Sequence, residues 1–487
     1  MMSRTALASL AVSCVALTGL TGCGDDGQAR ESASRAPTAG AGVPAAPTES
    51  RAPARGKGSK DPDDINGDGY RDLVVPVTMG ATPDNPGGIE QQLGVVYGSA
   101  KGPDPATRTV HSRGDLGLPD PMDGAAQSHG LPAGSVTTAD LDGDGYPDFA
   151  TTTATGQELQ DAQVIARRNT LYVAWGSPGG PTGETATAVR LPQSAAKLGV
   201  ESVVRGDFDG DGHHDLAALA ANQSSTVVLY GPFTRAGAPA RTDTSLPWAD
   251  GTLVADDIDP TGEPRATSLL LHEISDGEQS GNTLYQATTG RGLSANGRQL
   301  RLGNTHAFGD FDGDGRRDLA IGDSGSRNDE PGYETEGPEV DGSLAVYPGD
   351  GGQPVTHRLP EAPDGRRTDY GPGGIAAADP DGDGRDGILV ATYEGATLID
   401  GERRTSVLRE GPARTEGEKT PAKWRHARPA GAADFDGDGK DELILNWAPG
   451  SLFGYYGEYP TYWWITDGAT SRDKTSFRTT GFAPGGS

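Results

Sequence analysis

Residues 207–219 read DFDGDGHHDLAAL. Asp207, Asp209, Asp211 and Asp215 fall at positions 1, 3, 5 and 9 of this stretch, and Gly210 and Gly212 at positions 4 and 6. Four carboxylates so close together repel one another unless a cation lies among them. Hard oxygen donors on a tight loop suit Ca²⁺, which takes 6–8 oxygens. The glycines supply the left-handed backbone that curls such a loop. The seventh residue, His213, would offer its carbonyl. Apolar residues follow at once, so a strand leaves the loop.

The pattern returns six times, with starts 50 to 76 residues apart. DINGDGYRDL places Asp64, Asn66, Asp68 and Asp72 at positions 1, 3, 5 and 9, and DLDGDGYPDF places Asp140, Asp142, Asp144 and Asp148 there. DFDGDGRRDL supplies Asp310, Asp312, Asp314 and Asp318, and DFDGDGKDEL supplies Asp434, Asp436, Asp438 and Glu442. Two copies are altered. DPDGDGRDGI keeps Asp379, Asp381 and Asp383 but has Gly387 at position 9, with Asp386 one place early. DIDPTGEPRA keeps Asp257 and Asp259 but has Thr261 at position 5 and Arg265 at position 9. These loops are not EF-hands, which need Glu at position 12 and flanking helices. Position 12 is Val75, Thr151, Ala218, Ile321 and Leu445 in the fuller copies, and the flanks are short β-type runs.

Each unit has one layout: a β-run, the Asp loop, a second β-run, then a further hairpin. Four strands per unit, seven times over, predict an all-β, seven-bladed β-propeller of four-stranded antiparallel blades over residues 63–487. RGKGSKDPD, before the first loop, is a poor strand, so closure at blade 1 is open. Hydrophobic residues make up 34% of the chain and aromatics 6%, which implies a core of small and β-branched side chains. The Asp loops supply most of the excess acid behind the formal charge of −28. No basic patch with interleaved aromatics points to nucleic acid.

Residues 1–22 have Arg4 and an apolar run too short for a confident membrane span, as in an export signal. The run ends in Leu20-Thr21-Gly22-Cys23, which resembles a bacterial lipobox. The resemblance implies that Cys23 is lipidated and becomes the first residue of a protein anchored to the outer face of the cell membrane. The other cysteine, Cys14, lies in the removed segment, so the mature domain has no disulfide. Residues 23–62, rich in Ala, Pro and Gly, read as a disordered stalk, with a mean reach of about 35 Å.

The motif, its spacing and the count of seven resemble the FG-GAP (VCBS-type) repeats of the integrin alpha-chain propeller. That resemblance implies Asp loops that join the first two strands of each blade and bind Ca²⁺ on the lower face, with ligands on the opposite face. It implies five or six ions, because the loops at Asp257 and Asp379 depart from the pattern. At the former, Arg265 is expected to bridge Asp257 and Asp259 in place of a metal.

On the opposite face lie the long connections between second and third strands, which mark a binding face. Trp248, Tyr370, Trp424, His426, Tyr455 and Tyr456 fall on connections that reach it, and they suit a sugar or a partner protein. The alternative is that these rings pack over the ring's top. Catalytic signals are thin. Gly322-Asp323-Ser324-Gly325 mimics a serine-protease signature without a placed His, and His272-Glu273 lacks the second His of a zinc-protease helix. Two readings follow: a calcium-stabilised, lipid-anchored binding or adhesion module for a glycan or protein ligand, or a propeller enzyme such as a polysaccharide lyase or esterase. The fold hosts both.

Overall fold

The computed structural model describes residues 42–79, 90–122, 130–131, 133–161, 164–274, 279–324, 340–360, 374–415, 417–449 and 459–482. They form a seven-bladed β-propeller. Blade 3 shows the plan: Val200–Gly206, Asp215–Ala220, Thr226–Tyr230 and Arg241–Leu246 pair antiparallel in chain order. Its two central strands are buried throughout and read as continuous apolar runs, because neighbouring blades cover both faces. Blade 2 (Val136–Ala139, Asp148–Asp161, Val164–Ala174, Thr187–Ala188) and blade 4 (Gly251–Ala255, Leu269–Glu273, Ser280–Tyr285, Arg298–Gly303) repeat the order. So do blade 5 (Thr305–Gly309, Asp318–Gly322, Ser343–Tyr347, Val355–Arg358) and blade 6 (Ile375–Ala378, Gly387–Thr392, Gly395–Asp400, Arg403–Val407). Blade 7 comprises Arg428–Ala433, Glu442–Trp447, Tyr462–Thr466 and Asp473–Arg478. Residues 154–161 and 164–169, part of the long second-to-third connection, continue the two middle strands of blade 2 as a paired ribbon.

Seven buried apolar clusters among the described residues hold the ring, one at each junction between blades. Leu270 and Leu284 of blade 4 meet Phe308, Leu319 and Ile321 of blade 5. The ring closes where Leu73, Val75 and Val77 of blade 1 meet Phe435, Ile444 and Phe477 of blade 7. Each blade thus finds its core only in its neighbours.

Blade 1 departs from the four-stranded expectation. Among the described residues it has three strands, Leu73–Met79, Glu90–Val96 and Arg108–His111. Among the described residues no innermost strand pairs with Leu73–Met79, and Pro76, which has no N–H to offer, sits on that edge. A cavity of about 550 Å³ opens there into the centre of the ring, walled by Val74, Pro76, Val136, Val204 and Leu253. Its floor is ionic. Asp63 accepts both terminal nitrogens of Arg205, at 2.6 and 2.7 Å, and also Nη2 of Arg71 at 3.0 Å and Oγ1 of Thr138 at 3.0 Å. Burial opposes its charge, yet Arg205 and Arg71 hold Asp63 below the usual carboxylate range.

The stalk expectation fails for residues 42–62. Ala45 accepts the N–H of Arg478 in the outer strand of blade 7, and Arg51 donates to Ala106 beside the outer strand of blade 1. Further on, Gly56 N donates to Asn66 O at 2.9 Å and Ser59 N to Gly145 O at 2.8 Å, so the segment crosses the Asp loops of blades 1 and 2. A Cβ on Gly56 would stand 1.7 Å from the carbonyl oxygen of Gly67, so only glycine fits. Composition missed this strap because it is held by backbone bonds rather than by an apolar face. Residues 1–22, Cys23 and residues 24–41 lie outside the described residues.

Arg205→Ala leaves Asp63 with a half-paired buried charge and is expected to cost about 3–5 kcal/mol. Urea unfolding monitored by circular dichroism measures it. The Arg205→Met/Asp63→Leu double variant is expected to lose less than the single one.

Candidate metal-binding loops

The loops fold around the first Asp. In blade 5, Oδ1 of Asp310 accepts N–H groups of Gly313 at 2.8 Å and Asp314 at 3.1 Å, and Oδ2 accepts that of Gly315 at 2.9 Å. Gly313 and Gly315 have φ of +77° and +82°, open to glycine at little steric cost. The ninth residue ties the loop to the sheet. Asp318 accepts Phe311 N at 2.9 Å through Oδ2 and Gly349 N, just past the third strand, at 2.7 Å through Oδ1. Asp72 does the same with Ile65 and Gly98, Asp148 with Leu141 and Gly176, and Asp215 with Phe208 and Gly231.

These contacts gather oxygens. Oxygens of Asp140, Asp142 and Asp148 lie within 4.8 Å of one another, as do those of Asp207, Asp209 and Asp215, of Asp310, Asp312 and Asp318, of Asp379, Asp381 and Asp383, and of Asp434, Asp436 and Glu442. In four of these loops the fifth residue, Asp144, Asp211, Asp314 or Asp438, stands outside the cluster and accepts the N–H of the seventh. In blade 1, Asn66 replaces one carboxylate and donates Nδ2 to Asp68 at 3.0 Å.

Burial, reinforced by the other carboxylates of each loop, pushes Asp148 and Asp215 up to about 8, Glu442 to about 7 and Asp318 to about 6. Oδ1 of Asp209 is buried and accepts no hydrogen bond. An all-oxygen donor set with an orphaned lone pair fits a hard divalent cation. Basic side chains also reach these clusters. Arg235 pairs with Asp142 and Asp144, Arg241 with Asp209, Arg403 with Asp381, and Lys474 with Asp436 and Glu442.

Blade 4 corrects the expectation about Arg265. Asp256 pairs with Ser268 and Ala255 with Leu269, so the turn is three residues longer than in the other blades. Ser268 takes the ninth place, and its Oγ accepts Ala287 N at 3.2 Å, the bond the carboxylate accepts elsewhere. Arg265 does not bridge Asp257 and Asp259. It pairs with Asp256 at 2.5 Å and donates to the carbonyl of Asp257. In blade 6, Asp386 does not replace the missing ninth carboxylate. It accepts Asp310 N of blade 5 at 2.7 Å and meets Arg317.

The eighth position, which sequence reading passed over, links the blades. Asp386 belongs to a set with Asp441, Thr267 and His214. These accept the N–H of Asp379, Asp207 and Asp140, each the first Asp of the preceding blade, at 2.8 to 2.9 Å. Burial, with Arg205 and Lys60 nearby, lowers His214 to about 3, which keeps Nδ1 free to accept. Side chains as different as Asp, Thr and His share only an acceptor atom, so no residue type marks the position.

The face opposite is less convergent. Trp248 packs into the cluster of blades 3 and 4, and Trp424 into that of blades 6 and 7, so the ring separates them. Trp424 O accepts Nε1 of Trp447 at 2.8 Å, and His426 bridges to Glu410. Tyr370, Tyr455 and Tyr456 lie outside the described residues. Asp323 of the protease-like tetrapeptide is buried and accepts Gly342 N and Gln279 Nε2, bonds that serve the fold.

Residues 133–163, the first strand, Asp loop and second strand of blade 2, match the family model FG-GAP repeat. No curated protein matches the chain in sequence. Solved structures similar to it include BBS1N in complex with ARL6DN, soaked with lead, at 11% identity over 83% of this chain and 93% of that one, TM-score 0.40. Another is the V. cholerae biofilm matrix protein Bap1, at 11% identity over 81% of this chain and 88% of that one, TM-score 0.25.

Thr267→Val keeps the shape but strands the N–H of Asp207, at an expected cost of roughly 1–3 kcal/mol, while Thr267→Ser restores the acceptor. Urea midpoints compare the two. The raised carboxylates also set a pH dependence. Without a cation the folded chain holds protons that the unfolded chain releases near pH 4, so their contribution is full below that pH and is lost as pH rises through about 8. His214 acts in the other direction and only below its ordinary value near 6.5. In EDTA the urea midpoint is therefore expected to fall between pH 6.5 and 8.

Proposed function

We propose that this chain is a calcium-stabilised binding module, held on the outer face of the cell membrane through lipidated Cys23. It presents the face opposite its Asp loops to a glycan or protein ligand. The observation that carries the reading is the set of five clustered carboxylate groups, each all-oxygen and partly buried, repeated round one end of a rigid ring. Residues 64–72 add a sixth loop of the same build, with Asn66 in place of one acid. Ca²⁺ bound there would neutralise the loop carboxylates and fix the first-to-second strand turns. Asp310, Asp312 and Asp318 would hold it in blade 5, and the matching residues would hold it in blades 1, 2, 3 and 7. The loop at Asp379 lacks a ninth carboxylate and would hold it most weakly. Blade 4 has Ser268 in that place and would hold none. No helix among the described residues is long and apolar enough to cross a membrane; in this reading the lipid on Cys23 supplies the attachment.

Ca²⁺ at one hundred times its dissociation constant is expected to stabilise the fold by about 2.7 kcal/mol per site, read as a rise in melting temperature that EDTA reverses. Native mass spectrometry is expected to count five or six ions. An unchanged melting curve would overturn the calcium reading, and an ion retained by the Asp257 loop would overturn the assignment of blade 4. Cys23→Ser is expected to move the protein from the membrane fraction into the medium. For the ligand, pull-down on purified cell-wall and polysaccharide fractions with calcium is the direct test, and turnover of such a fraction would favour the enzyme reading.

A further inference from the structure

The connection between the third and fourth strands of a blade lies over the Asp loop of the blade before it. In blade 4 this connection sends Gly290 N to Asp209 O of blade 3 at 2.7 Å. In blade 7, Gly468 lies against Pro380 of blade 6. Blade 3 gives the fullest case. Its connection, residues 231–240, sends Phe233 N to Leu141 O of blade 2 at 2.6 Å. The Phe233 ring, 3% exposed, joins one buried cluster with Leu141, Trp175, Leu216 and Leu229. Two residues on, Arg235 pairs with Asp142 and with Asp144, the latter at 2.6 Å. An aromatic side chain fills the cleft, and a basic one meets the third and fifth residues of the loop beside it.

Blade 6 has no such connection. Asp400 and Arg403 pair directly across a two-residue turn, Gly401-Glu402. The cleft between blades 5 and 6 stays open, with a volume of about 290 Å³. Its walls are the counterparts of the Phe233 pocket: Phe311 for Leu141, Pro348 for Trp175, Ile388 for Leu216 and Ile399 for Leu229. Val355, 54% exposed, stands at its rim. Asp312 and Asp314 beside it accept only backbone N–H groups, and among the described residues no basic side chain pairs with either.

The geometry points to a docking site in this cleft for a partner protein segment of the form aromatic-x-basic, the chemistry of Phe233-Thr234-Arg235 in the chain itself. The aromatic ring enters between Phe311, Ile388 and Ile399, and the basic residue reaches Asp312 and Asp314. The carbonyl of Phe311 already accepts Nε of Arg385 at 2.9 Å, so side chains rather than the backbone bond of Phe233 hold the segment. The site is on the Asp-loop face and is separate from the ligand face proposed above.

The probe is a fluorescent peptide with the sequence of residues 230–240, added to the whole protein in calcium and followed by anisotropy. Saturable binding is expected. Phe233→Ala in the peptide is expected to weaken it by about tenfold or more. Arg235→Ala in the peptide is expected to weaken it less, with the difference shrinking as salt is raised. Replacing Gly401-Glu402 in the protein by residues 231–240 plugs the cleft and is expected to abolish binding. If that graft does not fold, Val355→Asp at the exposed rim makes the same comparison. No saturable binding at millimolar peptide, equal affinity of the peptide without phenylalanine, or undiminished binding to the plugged protein overturns the proposal. So does self-association in sedimentation velocity that the plug removes, which would give the cleft to a second copy of the chain.

Discussion

A buried carboxylate at the start of the second strand is the constraint on which most blades are built. It accepts the N–H of the loop's second residue and that of the glycine past the third strand, so one side chain fixes a turn, a strand end and the entrance of the next connection. The same side chain brings a negative charge under the sheet, beside two or three more. Desolvation and mutual repulsion both oppose that charge, and the hydrogen bonds offset them only in part. A bound cation would complete the balance. Blade 7 shows a local version, with Lys474 on Asp436 and Glu442. Blade 4 removes the charge by placing a serine there, and blade 6 by placing a glycine.

Most of the architecture was legible because the motif is long, repeated and tied to strand boundaries. The number of blades, the position of each Asp loop and the weak start of blade 1 followed from spacing. The ninth place of blade 4 did not. Counting forward from Asp257 assumes a loop of fixed length and lands on Arg265. Counting back from the apolar run Leu269-Leu270-Leu271 lands on Ser268 and exposes the three-residue insertion. The strap was illegible for a different reason: Ala, Pro, Gly and Ser describe a segment that cannot bury an apolar face, yet backbone hydrogen bonds to a preformed surface need none. The aromatic set on the opposite face was read by position along the chain, and position does not say that Trp248 and Trp424 enter different blade junctions.

The eighth-position acceptors, the carboxylate floor and the strap all lie at one end of the ring. That end is dense with backbone-to-side-chain bonds between blades, while the second strands leave from the other end. A propeller of this kind separates its duties by height along the strands: one rim sets the angle between blades, and the other is free to vary without disturbing it.

The strap also imposes an order of assembly. A chain made from its amino terminus can dock blade upon blade as each emerges, since every junction but one joins consecutive segments. The exception joins blade 1 to residues 428–482, the last blade to be synthesised. Until those residues exist, Leu73, Val75 and Val77 have no partner, Ala45 waits for Arg478, and Arg108 waits for Phe482. The nascent protein is therefore an open arc with one unfinished apolar edge at each end, whatever the number of blades already in place. Its most adhesive moment falls just before completion, when the two edges are nearest and a second arc could still take the place of its own far end.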